Sequence, residues 1–252
     1  FFAFFFCAVV FFISFLFPVL QMLYWTISFP KHLADLNLIK LFLNTMLLVF
    51  LSCALLISLS FISNYGNRVV QSKLLNTLTT FSISGYAIPG IILAVAFITF
   101  ISWFDNNVIS FFGLETIKSI FIGSVLGLIL VYFIRFYSLA SNGIKSGYLK
   151  INYSIDESAY LLGYSKLKTF TNIHIPYLKN SILLIGILIA IEIIKELPIT
   201  LIMRPFNFET FATTAYIFAS QDLLEAAAAP SLFLIVIASF FILITSRFVL
   251  KD

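Results

Sequence analysis

Charge is what this chain has least of. Asp, Glu, Lys and Arg make up 10% of its 252 residues, against about 25% in an average soluble domain. Hydrophobic residues make up 61% and mean hydropathy is +1.08. No water-soluble core can take in so much apolar surface, so the composition requires lipid as solvent. Cysteine is nearly missing. Cys7 and Cys53 both lie in apolar runs without a CxxC partner or a neighbouring His, which argues against a disulfide or a thiolate metal site. Histidine is limited to His32 and His174, which read as solvated or interfacial side chains. No HExxH, no Ser/His/Asp set and no paired aqueous carboxylates occur, which leaves a membrane-embedded enzyme without a reactive constellation. No G-x-x-x-x-G-K-[ST] loop occurs either, so hydrolysis of ATP is not expected of this chain. The formal charge is +4 and the sequence pI about 9.0. The basic residues form no stripe with interleaved aromatics, so a nucleic-acid partner is not expected.

What is present is a series of long apolar runs. A spanning helix needs about 20 apolar residues. Six runs qualify: 2–28, 41–62, 77–103, 119–138, 180–203 and 230–248. The fold class expected is an all-α polytopic bundle forming one transmembrane domain over 1–252. Pro30-Lys31-His32, Asn64 to Arg68, and Asp105-Asn106-Asn107 read as the ends of the first three spans. Residues 1–29 are too long and too apolar for a signal-peptide core, so they are taken as a span. The Phe1 start suits a fragment, a processed form, or one half of a longer polypeptide.

Basic residues set the orientation. One set of connections carries Arg68, Lys73, Arg135, Lys145, Lys150, Lys166, Lys168, Lys179, Arg247 and Lys251; the other carries Lys31, Lys40, Lys118 and Arg204. The first set is assigned to the cytoplasm, which puts both ends of this segment inside. Tyr24, Trp25 and Trp103 then fall near the outer interface. Gly123 and Gly127 have the spacing of a close helix contact in the fourth span. Pro89-Gly90 predicts a kink in the third, directed inward, because freed carbonyls need protein or a wet cavity.

The most informative stretch is polar, residues 139–179, between two apolar runs. Ser154-Ile155-Asp156-Glu157 has the form of a capping box, with acids where the helix dipole favours them. Ile155, Ala159 and Leu162 share a face at helical spacing. Gly163 suits a left-handed stop. Ser165 can cap a second short helix to Phe170, and the chain re-enters the membrane near Pro176. A rigid helix–turn–helix knob is expected.

In this run the chain resembles the permease subunits of binding-protein-dependent ABC importers, of the MetI-like kind. Their cytoplasmic motif is Glu-Ala-Ala, three residues, Gly, nine residues, Ile-x-Leu-Pro. Here Glu157, Ser158, Ala159, Gly163, Ile173, Ile175 and Pro176 stand at that spacing, departing at Ser158 and Ile175. The resemblance implies that the knob, with Asp156 at its start, couples to a separate ATPase subunit that holds ATP and Mg. No cofactor is expected on this chain. It further implies a second permease half or subunit, a periplasmic solute-binding protein, and residence in a bacterial inner membrane.

Glu192, Lys195 and Glu196 lie within the fifth apolar run, followed by Pro198. Charges in a span face the interior by default. They are expected either to line the pathway or its gate with Pro89 and Gly90, or to form a buried structural pair through Glu192 and Lys195. Lys195-Glu196-Leu197-Pro198, with Arg204-Pro205-Phe206-Asn207-Phe208-Glu209-Thr210, looks like the ferric-iron branch of these permeases, close to thiamine, phosphonate and polyamine relatives. There the permease is often a fusion of two six-helix halves, and this chain resembles the C-terminal one. The competing reading from the residues is an ion-gradient-driven transporter using Glu192, Lys195 and Glu196 as a relay.

Overall fold

The computed structural model describes residues 2–112 and 121–249. Among them there is no strand, and six helices are long and apolar enough to cross a bilayer. The all-α polytopic expectation holds, but most span boundaries move.

The first span, α1 (Phe2–Ser28), keeps its expected bounds. It buries none of its side chains within the chain, so its Phe-rich surface is left for lipid or another subunit. Pro18 cannot donate to the helix, and the backbone passes it with a wide turn at Phe12–Leu16. A single turn, α2 (Pro30–Ala34), leads to α3 (Leu38–Val70). Asn37 caps α3 by accepting from the Lys40 amide at 3.0 Å.

At 33 residues α3 is roughly 50 Å long, more than the hydrocarbon core needs. The stop expected at Asn64 to Arg68 does not occur, because tertiary contacts hold those polar residues in the helix. Asn64 donates to the Ser141 hydroxyl of a later helix at 3.2 Å, and the Tyr65 hydroxyl donates to the Lys166 carbonyl at 2.6 Å. The helix ends at Gln71, which takes a left-handed conformation.

The third span is broken rather than kinked. α4 (Lys73–Ile83) is followed by a tight turn at Ser84–Ala87, and α5 (Gly90–Phe112) starts after Pro89. A Cβ on Gly85 would lie 2.3 Å from the Ile134 carbonyl oxygen, so two backbones touch at the break. α5 continues past Asp105-Asn106-Asn107. Asp105 is buried, and its carboxylate accepts the Phe121 amide at 3.1 Å, which removes the reason to stop.

α6 (Val125–Tyr148) starts after residue 119 and runs ten residues past the expected end at 138. Residues 119 and 120 lie outside the described residues. Gly123 sits before α6 with φ +67°, so Gly123 and Gly127 do not form a helix ridge. The close approach is made instead by Gly143 and Gly147, whose added Cβ atoms would meet Ile185 and Leu178 of the fifth span at 2.6 and 2.9 Å.

The knob helix α7 (Tyr153–Leu161) leads to the fifth span, α8 (Lys166–Ile194). α8 begins well before residue 180 and contains a wide turn at Phe170–His174. The polar stretch expected as a loop over 139–179 is therefore a short connection carrying α7 between two protruding helices. α8 stops at Ile194 instead of reaching 203, because Pro198 opens a separate helix, α9 (Pro198–Met203). α10 (Phe211–Ser220) and α11 (Leu224–Val249) complete the chain, α11 starting before the expected 230.

The core lies where α3, α6 and α8 meet, around Leu48, Leu56, Leu128, Tyr132, Phe136, Ile144 and Ile189. The two ends of the bundle are held by different polar contacts. At one, Lys40 reaches Asn207 at 3.3 Å and Asn44 donates to the Glu209 carbonyl at 2.8 Å. The knob lies at the other.

Candidate functional site

At the knob end, α7 is capped by Asn152, whose Oδ1 accepts the Ser154 amide at 3.3 Å. The capping box expected of Ser154 and Glu157 does not form. Ser154 lies inside the helix, and its carbonyl accepts from the Ser158 hydroxyl at 2.8 Å. The stop at Gly163 is as expected. Its φ is +81°, its amide donates to the Tyr160 carbonyl at 3.0 Å, and the Tyr164 amide donates to the Ala159 carbonyl at 3.0 Å. These paired bonds satisfy the last carbonyls of α7 and turn the chain sharply. Ser165 then caps α8 by accepting the Lys168 amide at 3.3 Å.

The acids of α7 part company. Glu157 points outward with Ser158, whereas Asp156 is buried. The Asp156 carboxylate meets Arg68 Nε at 2.6 Å and His174 Nε2 at 2.8 Å. Arg68 spends its remaining donors on the carbonyls of Ile151 and Asn152, each at 3.0 Å, and its guanidinium lies over the Tyr153 ring at 4.3 Å. One arginine at the end of α3 therefore holds the entry to α7, and one carboxylate of α7 joins α3 to α8. His174 has no exposed surface, which corrects the expectation of a solvated or interfacial side chain. Asp156 is turned into the bundle and is not offered to the outside.

The outward tip is apolar. Leu161 and Leu162, within the Ala159–Gly163 turn, are 89% and 78% exposed. Leu162 was expected to pack with Ile155 and Ala159; those two turn inward and Leu162 does not, because the helix ends at Leu161. Ile175 and Pro176 are exposed in the first third of α8, and Ile173 is half-buried.

The second cluster lies deeper. Arg135 is the eleventh residue of α6, about 15 Å along it. Its Nη1 donates to the Ile88 carbonyl at 2.8 Å, at the break between α4 and α5, and its Nε is 3.5 Å from Glu196 Oε2. Glu196 Oε1 accepts the Ile199 amide at 3.4 Å, at the start of α9. A Cβ on Gly90 would meet that same oxygen at 3.0 Å. Gly90, Glu196 and the α9 start after Pro198 are thus brought together, with Pro89 beside them. Tyr132 and Thr200 hydrogen-bond each other just below, and the Thr200 hydroxyl donates to the Glu196 carbonyl at 2.6 Å.

Glu192 and Lys195 form a separate pair at 2.7 Å, with the lysine 55% exposed. Pairing of these two is as expected, but the pair is not buried. Arg135, assigned from the sequence to a cytoplasmic connection, belongs to the bundle interior. Sequence reasoning missed Arg68, His174 and Arg135 as site residues. Arg135 carried a usable signal: it stands alone in Leu128-Ile129-Leu130-Val131-Tyr132-Phe133-Ile134 and Phe136, where an unpartnered charge is costly. Among the described residues, no group of three or more His, Cys, Asp or Glu lies close enough together to hold a metal ion.

No protein-family model matches the chain, and no curated protein sequence matches it. Sixteen chains of solved structures match its fold, among them chains of two crystal structures. One is of a bacterial ABC transporter involved in the import of the acidic polysaccharide alginate, with a chain 18% identical at a TM-score of 0.75 over 98% of this chain and 93% of that one. The other is of a bacterial alginate ABC transporter in complex with an alginate pentasaccharide-bound periplasmic protein, at 17% identity, a TM-score of 0.76, and coverage of 98% and 92%. At this identity the likeness is one of fold.

Proposed function

We propose that the chain is the membrane permease component of a binding-protein-dependent ABC importer in a bacterial inner membrane, forming a single transmembrane domain with both ends in the cytoplasm. The observation that carries this reading is the stiff, doubly held rod α7, projecting Glu157, Ser158 and the Leu161–Leu162 tip from one end of a six-span bundle. Ala159 lies on its inner face, and Gly163, Ile173, Ile175 and Pro176 follow at the motif spacing. A force-bearing contact needs such a rod. It needs a sharp turn without a side chain in the way, and Gly163 has nothing within 4 Å of where a Cβ would stand. The shared fold with a chain of an alginate ABC transporter supports the same reading.

Closure of a separate ATPase dimer, which holds ATP and Mg, pushes α7. Asp156 and Arg68 pass the displacement to α3, and His174 passes it to α8. Reorientation of α6 and α8 then moves the Arg135–Glu196 contact, where the broken third span meets the break after α8. Alternating access results, with a second permease half or subunit supplying the other wall and a periplasmic binding protein delivering the solute. This chain makes and breaks no covalent bond.

Ferric iron is the solute proposed, supported by the resemblance of Lys195 to Pro198 and Arg204 to Thr210 to that branch; thiamine, phosphonate and polyamines are the alternatives. Hard oxygen ligands suit Fe(III), which on this reading passes through the chain as cargo. The test is co-purification of an ATPase with the chain, followed by ATP-dependent uptake of labelled Fe(III) into proteoliposomes holding the complex and its binding protein. Uptake driven by an imposed ion gradient without ATP would favour the secondary-transporter reading instead.

A further inference from the structure

Beside the knob, a cavity of about 530 Å³ opens between the ends of α3, α4 and α6. Its volume is that of a small-ligand site. Three cations line it, Arg68, Lys145 and Lys150, with amides and hydroxyls including Asn64, Asn76 and Thr80, and no carboxylate takes part in the lining. α4 gives the cavity a polar wall. It turns Asn76, Thr79 and Thr80 to the cavity, while Leu74, Leu78 and Phe81 stand 70%, 56% and 80% exposed away from it. A helix with its apolar face outward and its polar face inward separates lipid or a protein partner from a polar interior. Asn67, on α3, is tied to Thr79 at 3.0 Å, which fixes that face in place. Among the described residues, neither Lys145 nor Lys150 is in an ion pair.

We infer that this cavity binds a phosphate-type oxyanion, supplied by the headgroup of an acidic phospholipid such as phosphatidylglycerol. A bare metal cation is repelled by the two lysines, Arg68 being paired with Asp156, so the cavity is not a route for Fe(III). Basic pockets between spanning helices on the cytoplasmic side suit acidic headgroups, and the loose lysines suit a phosphate better than a planar carboxylate. The cavity shares Arg68, Ile151 and Asn152 with the lock on α7, so an anion seated there stiffens the base of the knob.

The inference does not depend on the importer reading, because its test needs no ATPase and no solute. The purified chain with its co-purifying subunits, in a neutral detergent, is titrated with phosphatidylglycerol or phosphatidylcholine, and retained lipid is read by native mass spectrometry. The expected result is selective retention of phosphatidylglycerol, lowered on the order of tenfold by Lys145→Gln with Lys150→Gln. Lys166→Gln, at the same end but outside the lining, is expected to leave it unchanged. Thr79→Val with Thr80→Val keeps every charge and is expected to lower retention several-fold, which a general surface attraction would not do. Equal retention of the two lipids, or insensitivity to the lysine pair, overturns the proposal. Displacement of the lipid by millimolar inorganic phosphate also overturns the lipid source, leaving the free anion as occupant.

Discussion

Removing Arg68 is expected to free the knob from the bundle. In Arg68→Ala the buried Asp156 keeps only its contact with His174, and the carbonyls of Ile151 and Asn152 lose their donors. Breaking a buried ion pair by deleting one partner costs about 3–5 kcal/mol. The cost falls mainly on residues 149–165, because Asp156, Ile151 and Asn152, three of the four residues Arg68 hydrogen-bonds, lie there, and only Tyr148 belongs to α6. At 1.4 kcal/mol per factor of ten, amides of α7 should exchange roughly a hundred- to several-thousand-fold faster, down to the unprotected limit. Arg68→Lys keeps the charge but cannot reach the carboxylate and two carbonyls at once, so a loss of about tenfold is expected. Arg68→Ala with Asp156→Ala removes both charges and should recover part of the protection lost in the single variant. Hydrogen exchange by mass spectrometry on the membrane-embedded chain reads all three. Protection of 153–161 in Arg68→Ala within threefold of the parent would refute the lock.

Three further variants separate positions by what they touch. Gly163→Asp keeps open space around the side chain but forces a left-handed residue, at a cost of about 1–2 kcal/mol locally; loss of ATPase co-purification with an unchanged melting temperature of the bundle is expected. Gly85→Ala drives a Cβ into the Ile134 carbonyl, and since backbone is the obstacle the bundle itself should melt several degrees lower, as read by a thermal shift in detergent. Glu196→Gln should lower transport severalfold, because it removes the charge that Arg135 faces, whereas Glu192→Gln should have a smaller effect on transport, because its partner Lys195 stands 55% exposed and apart from the Arg135 contact. Equal effects of the two substitutions on uptake would mean that the outer and inner pairs are not distinguished as described.

The six spans were legible because hydropathy over twenty residues survives any local detail. Their ends were not. Asn64, Tyr65 and Asn67 look like a turn in isolation, yet each finds a partner on another element, Ser141, Lys166 and Thr79, and tertiary contact overrides turn preference. The stop at Gly163 was readable because a left-handed cap is a local property of one residue. The capping box misled because Asn152 lies two residues upstream and takes the Ser154 amide that Glu157 would have capped. Asp156 was legible as a first-turn acid of α7, but its turn into the bundle was not: its partners Arg68 and His174 come from 88 residues before and 18 after, a distance no spacing rule spans. Arg135 and Glu196 were each visible as charges in apolar runs, and pairing them only required noticing that each lacked a local partner.

Where the α7 tip goes decides the account most directly. A photoreactive side chain at Leu162, activated in intact membranes, is expected to crosslink to a cytoplasmic nucleotide-binding subunit, with a yield that changes between nucleotide-free and ATP-bound states. Crosslinks only to lipid, or labelling of Leu162 only from the periplasmic side, would contradict it.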